Sequence, residues 1–372
     1  MKTISISEME MRNWTALHHE YAVEGVTPRK NAYLNNTIKK LWGGNLVPLM
    51  APKNSRGRYA QATITCPTRA ATGYLELGIN SQSLPFRNTD AIENILCLEG
   101  PIEIKLGPKL EESVVLNRFD MLSIAVDVMH QIINIGQQTA KMVSVLNSGS
   151  DSHYPIVFNS QYRDSTFSIE TLNKASVSFD NEVGQVFSRE KIEASITRFA
   201  ELVPYKNSLS SKSGIPPAAT ELLTASSVYP LIIPDGHIGR SQYAPLKGLP
   251  GLYMAIAECT PSDGPLPHAH YDSQESFFVL DGDWDITWGY EDEFRIPVKP
   301  YDLVAMPDQV MRSFKNTGKN KGWLFVIIQG QEKMSDIVAY SPEVGKIVEE
   351  RYGADVIHAY QKVNITFDAE RC

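Results

Sequence analysis

Apolar positions along this 372-residue chain fall in short runs separated by turn residues, not in long helical stripes. ENILCLEG, PIEIKLG, KMVSVLN, ESFFVL, WDITWG and WLFVIIQG are rich in β-branched and aromatic residues, and Gly, Asp, Asn and Pro punctuate them. Side chains of that kind suit a pleated, half-buried surface, and the punctuating residues suit tight turns. The pattern predicts an all-β chain of antiparallel sandwiches or small barrels. Helical signals lie outside these runs: near residues 7 to 20, at SREKIEASITRFAEL with Ser188 as N-cap, at PPAATELLTA from Pro216, and at SPEVGKIVEERYG from Ser341. The stretch SSKSGIPP has loop composition.

Sliding the chain against itself by 182 residues brings a long stretch into register without a gap. LPFRNTDAIENILCLEGPIEIKLG from Leu84 lies on LPHAHYDSQESFFVLDGDWDITWG from Leu266. Asp90/Asp272, Glu93/Glu275, Gly100/Gly282 and Gly107/Gly289 coincide, as do several apolar positions. DMLSIAVDVMHQIINIG from Asp120 meets DLVAMPDQVMRSFKNTG from Asp302, and VPLMAPKNSRGR from Val47 meets YPLIIPDGHIGR from Tyr229. One supersecondary plan has been used twice. The expected organisation is an N-terminal helical extension (1–46), a first barrel (47–158), a connector with helices (159–228), a second barrel (229–340) and a C-terminal helical extension (341–372).

Composition narrows the function. With 35 Lys+Arg against 43 Asp+Glu the formal charge is -8, and no block of like charge offers a footprint for nucleic acid. No apolar run approaches the roughly 20 residues that span a bilayer, and MKTISISEMEMRNW carries acidic residues where a signal peptide needs an apolar core. The expectation is a soluble cytoplasmic protein without nucleic-acid or membrane partners. Cys66, Cys97, Cys259 and Cys372 form no metal or disulfide pattern, and Cys97 and Cys259 read as small core residues.

Candidate chemistry is concentrated in the second copy. His268 and His270 are two residues apart, so a strand sends both imidazoles to one face, and Glu275 follows five residues later. Two neutral imidazoles and one carboxylate are a donor set that Fe(II), Mn(II) or Ni(II) accepts with positions left open for substrate. Tyr271, Trp284, Trp288 and Phe314 read as core or as the mouth of that barrel.

The stretch PSDGPLPHAHYDSQESFFVLDG, with His268, His270, Glu275 and Gly282, resembles the first motif of the cupin superfamily, and DLVAMPDQVMRSFKN approaches the second through Asp302, Pro307 and Asn316. Both copies share the resemblance, so the chain looks like a bicupin. The resemblance implies two cupin-type antiparallel β-barrels (double-stranded β-helix, jelly roll) with flanking helices. Two departures qualify it. Arg312 stands where the family's fourth ligand, a histidine, would be, and a guanidinium has no lone pair for a metal. In the first copy the HxH positions are Phe86 and Asn88, while Glu93 and His130 remain, which reads as a non-metallic cavity holding a hydrogen-bonded pair.

Resemblance to bicupin ring-cleaving dioxygenases implies an enzyme that oxidises a small phenolic or enolic carboxylate, with a divalent metal held by His268, His270 and Glu275. Fe(II) is the expected metal, with Mn, Ni, Zn and Cu as alternatives. Arg312 and Glu275 are the candidate catalytic residues, and Arg312 is expected either to clamp an acidic substrate beside the metal or to pair with Glu275 in place of a metal. The other readings are a metal-dependent lyase, decarboxylase or isomerase on the same ligands, and a non-catalytic ligand-binding or sensor bicupin. A homodimer is expected from edge-strand and terminal contacts.

Overall fold

The computed structural model describes residues 1–21, 36–66, 70–148, 152–237, 239–332 and 334–371. The chain divides into two compact units, one formed by residues 23–201 and the other by residues 1–22 together with 202–372.

In the first unit a seven-stranded sheet is centred on Ala91–Glu99, Ala140–Ser148 and Ala70–Leu77, and a six-stranded sheet on Phe86–Asn88, His130–Asn134 and Ile102–Leu106. Trp42, Phe86, Leu116, Ile132 and Phe158 belong to its buried core. The second unit repeats both sheets: Ala91–Glu99 recurs as Ser273–Asp281, Ala70–Leu77 as Leu252–Cys259, and His130–Asn134 as Arg312–Asn316. Each pair is offset by the 182 residues read from the sequence. Even the bulge between Pro48 and Met50 returns between Pro230 and Ile232. Gly107 and Gly289 turn the chain at φ +97° and +100°, a region that penalises any Cβ, which accounts for glycine in both copies.

Helices start at the expected Ser188 and Ser341, and the PPAATELLTA signal gives Pro217–Leu223 without a side-chain cap. The Ser188 hydroxyl accepts from the Lys191 N–H at the start of Arg189–Ala194, and the Ser341 hydroxyl accepts from the Val344 N–H at the start of Pro342–Tyr352. Elsewhere tertiary pairing overrode propensity. The expected helix near residues 7 to 20 is split into Glu8–Met11 and His18–Tyr21, because Thr15–Ala16 pairs as a strand with Val304 and Leu303. The helix expected through SREKIEASITRFAEL stops at Ala194, since Ile196–Thr197 pairs with Leu122 and Met121. The first half of SSKSGIPP is helical, not loop: Tyr205–Ser213 buries Tyr205 and Leu209 against Tyr340, Val348 and Tyr360, and ends at Gly214 with φ +70°. Among the described residues, no helix is long and apolar enough to cross a membrane.

Candidate metal centre

Strand His268–Tyr271 alternates, turning His268 and His270 inward to one face. His268 sits in register between Arg312 and Tyr340 on the neighbouring strands, and Glu275, on Ser273–Asp281, lies opposite Met306 and Ile328. The four candidate side chains come together and all are buried, with Arg312 at 0% exposure.

The imidazoles converge on a single carboxylate oxygen. Nε2 of His270 is 3.3 Å and Nε2 of His268 is 3.7 Å from Oε2 of Glu275. Two donors bound to one ion at about 2.1 Å stand roughly 3.0–3.5 Å apart in octahedral or tetrahedral geometry, close to these separations. The opposite nitrogens face acceptors: His268 Nδ1 is 2.8 Å from the Leu266 carbonyl, and His270 Nδ1 is 2.8 Å from Oδ1 of Asp336. With each Nδ1–H donating outward, each Nε2 keeps its lone pair for the interior, the arrangement a metal-ligating histidine needs.

Electrostatics favour a neutral His270 and an ionised Glu275. Burial pushes the His270 imidazole down to about 4, which leaves it neutral near pH 7. Burial alone would raise the Glu275 carboxyl, but His270, the His268 hydrogen bond and Arg312 outweigh it and hold Glu275 below the usual carboxylate range. Two imidazoles and one carboxylate fit a divalent cation chemically and in spacing.

Arg312 donates from Nε to Glu275 Oε2 at 3.1 Å and from Nη1 to the Val310 carbonyl at 2.7 Å. It does not line the adjoining cavity of about 70 Å³, which His268, His270 and Glu275 do line. Among the described residues that line this cavity, the guanidinium is that of Arg240. Its Nη2 is 2.9 Å from Oδ2 of Asp336, and Nη1 donates to the Asp336 carbonyl at 3.2 Å. The remaining wall is largely apolar, with Ala255, Ala257, Val326, Ile328 and Val338. Phe314 also lines it, whereas Trp284 and Trp288 are buried core and the Tyr271 hydroxyl donates to the Lys2 carbonyl at 2.9 Å.

The first unit keeps the carboxylate and surrounds it differently. The expected His130–Glu93 pair is a close contact, Nε2 3.3 Å from Oε2, and not a hydrogen bond; the main partner of Glu93 is Arg58, whose Nη2 is 2.5 Å from Glu93 Oε1. Asn88 donates to Glu93 at 2.7 Å and accepts from Arg58 at 3.1 Å, and the Ser144 hydroxyl also donates to Glu93 at 2.7 Å. Burial would raise the Glu93 carboxyl, yet Arg58 and His130 hold it low.

Sequence reasoning missed Arg58, Arg240 and Asp336. A signal for the two arginines existed, since both close the aligned segments NSRGR and GHIGR. Asp336 had none.

No protein-family model matches the chain, and no curated protein matches it by sequence. Solved structures do. The 7S globulin of Momordica charantia superposes with a TM-score of 0.53 at 11% identity, covering 92% of this chain and 96% of that one. Vicilin of Solanum lycopersicum (tomato) gives 0.53 at 12% identity, covering 96% and 98%. The chain has the bicupin fold. A variant of salicylate 1,2-dioxygenase from Pseudoaminobacter salicylatoxidans aligns over 70% of both chains at 13% identity, but its TM-score of 0.44 is too low to carry chemistry across.

Proposed function

We propose that the protein is a metal-dependent enzyme whose centre is the second barrel, where His268, His270 and Glu275 hold one divalent cation and the adjoining cavity takes a small organic acid. The observation that carries this reading is the convergence of both Nε2 atoms on Glu275 Oε2 while both Nδ1 atoms are engaged outward. A two-histidine, one-carboxylate set with open positions is the donor set of non-haem Fe(II) oxygenases, so the reaction proposed is O₂-dependent oxidation of a phenolic or enolic carboxylate. Bound there, the metal would supply Lewis acidity and a redox centre.

The chain's own residues supply the rest. Asp336 and Leu266 fix the imidazole tautomers. Arg312 keeps Glu275 oriented and ionised. Arg240 presents a guanidinium to an acid's carboxylate, and the apolar wall limits water around it.

Elemental analysis, followed by anaerobic Fe(II) loading and O₂ uptake with hydroxylated aromatic acids, tests the proposal. The expected result is one metal per chain, lost in the His268→Ala, His270→Ala double variant, and O₂ consumption with at least one such acid. Turnover without O₂ would shift the reading to a lyase, decarboxylase or isomerase on the same ligands. A second reading, a non-catalytic bicupin that binds a small acid, is favoured by Arg312: a guanidinium bonded to Glu275 repels a cation at that carboxylate. Acid binding by metal-free protein, without turnover under any metal, would support that one.

A further inference from the structure

The two barrels carry an arginine at the same repeat position, and its carboxylate partner differs. Arg58 closes on Glu93, with Nη2 2.5 Å from Oε1. Arg240 faces the cavity that Glu275, the counterpart of Glu93, also lines, yet it is bound to Asp336 at 2.9 Å.

Strand register identifies what redirects it. Ile156 pairs with Asn88 as Val338 pairs with His270, so Asp336 corresponds to Tyr154. The first copy therefore has no carboxylate at that point, and Arg58 is left with Glu93. In the second copy Asp336 is 2% exposed, and its Oδ1 accepts from Ser273 Oγ at 3.1 Å as well as facing His270.

We infer that Asp336 keeps the cation site of the second barrel open by retaining Arg240, which would otherwise close on Glu275 as Arg58 closes on Glu93. A guanidinium only 12% exposed is strongly unfavourable without a carboxylate, and among the described residues that line its cavity the carboxylate is Glu275. A guanidinium there and a divalent ion there repel each other. Asp336 is thus a positioning residue acting through two contacts, Arg240 and His270. The consequence for metal binding rests on the proposed function; the placement of Arg240 does not.

The test compares the parent, Asp336→Asn, Arg240→Met and the double variant by calorimetric titration with Mn(II), together with a crystal structure of metal-free Asp336→Asn. Asp336→Asn is expected to weaken Mn(II) binding at least tenfold, Arg240→Met in the same background to recover most of it, and the crystal to show Arg240 hydrogen-bonded to Glu275. Affinity that stays low in the double variant would assign the loss to His270 alone and overturn the inference. An Arg240 found away from Glu275 in the crystal would overturn it too. A parent that binds neither Mn(II) nor Fe(II) defeats the metal reading instead, and the crystal then decides the placement of Arg240 by itself. Asp336→Ser, which also removes the carboxylate, serves for both measurements if Asp336→Asn does not fold.

Discussion

Arg312 reaches Glu275 through Nε at 3.1 Å, on the same oxygen that both imidazole Nε2 atoms face. The guanidinium shares that oxygen with them, yet it does not line the cavity. It orients the Glu275 carboxylate, while Arg240 lines the cavity.

Substitutions at Arg312 separate these roles. Arg312→Lys keeps the charge but cannot serve both Glu275 and the Val310 carbonyl with a planar fork. It should lower stability by about 1–3 kcal/mol, read by denaturant unfolding, because a buried acceptor loses its partner. Arg312→His removes the cation and adds an imidazole donor, and should raise metal affinity tenfold or more by titration. Unchanged or weaker affinity would show that this position does not reach the ion.

The Arg58–Glu93 pair is a core element of the first unit, with both side chains 1% exposed. Arg58→Met leaves an uncompensated buried carboxylate and should cost about 3–5 kcal/mol. Hydrogen exchange of strands Ala91–Glu99 and Ala140–Ser148 should report the loss. Arg58→Met combined with Glu93→Met should recover most of it, and neither variant should change metal stoichiometry. A metal lost from Glu93→Gln would place an ion in the first barrel.

Acid should destabilise the metal-free second unit through His270. Its ordinary value is 6.5 and burial lowers it to about 4 in the folded protein. Between those values the unfolded chain takes up a proton that the folded one refuses, so stability is full above about pH 6.5 and declines as pH falls toward 4. The decline amounts to at most about 3 kcal/mol. Melting curves across this window should show it, and His270→Gln should flatten the profile. Metal retention should fall in the same direction, because protons compete for Nε2.

Burial raises the thiols of Cys97 and Cys259 to about 12. Native protein carrying Cys372→Ser should react with a thiol reagent only at the rate of unfolding, since Cys66 is buried as well. Fast labelling of any of the three would contradict the packing of these strands.

Much of the architecture was local enough to read from the chain. Alternation and turn residues mark strands wherever one face is buried, and the repeat tied two sets of strands to one plan. Ser188 and Ser341 announced helix starts because capping is a contact between residues three apart. The pair His268 and His270 was legible for the same reason: on a strand, a spacing of two means a shared face.

Where a segment's partner lay far along the chain, the sequence was silent or misleading. Thr15–Ala16 is a strand only because Leu303 and Val304 offer it an edge. Tyr205–Ser213 is a helix because its apolar face meets the C-terminal helices. At the site, the sequence by itself determined which donors exist and that two of them share a face. Only the tertiary structure decided which carboxylate each arginine takes. The contacts of Asp336 with Arg240 and His270, and of Arg312 with Glu275, join segments distant in sequence through strand register. A buried charge settles on whichever opposite charge the folded interior puts within reach, and no local pattern encodes that distance.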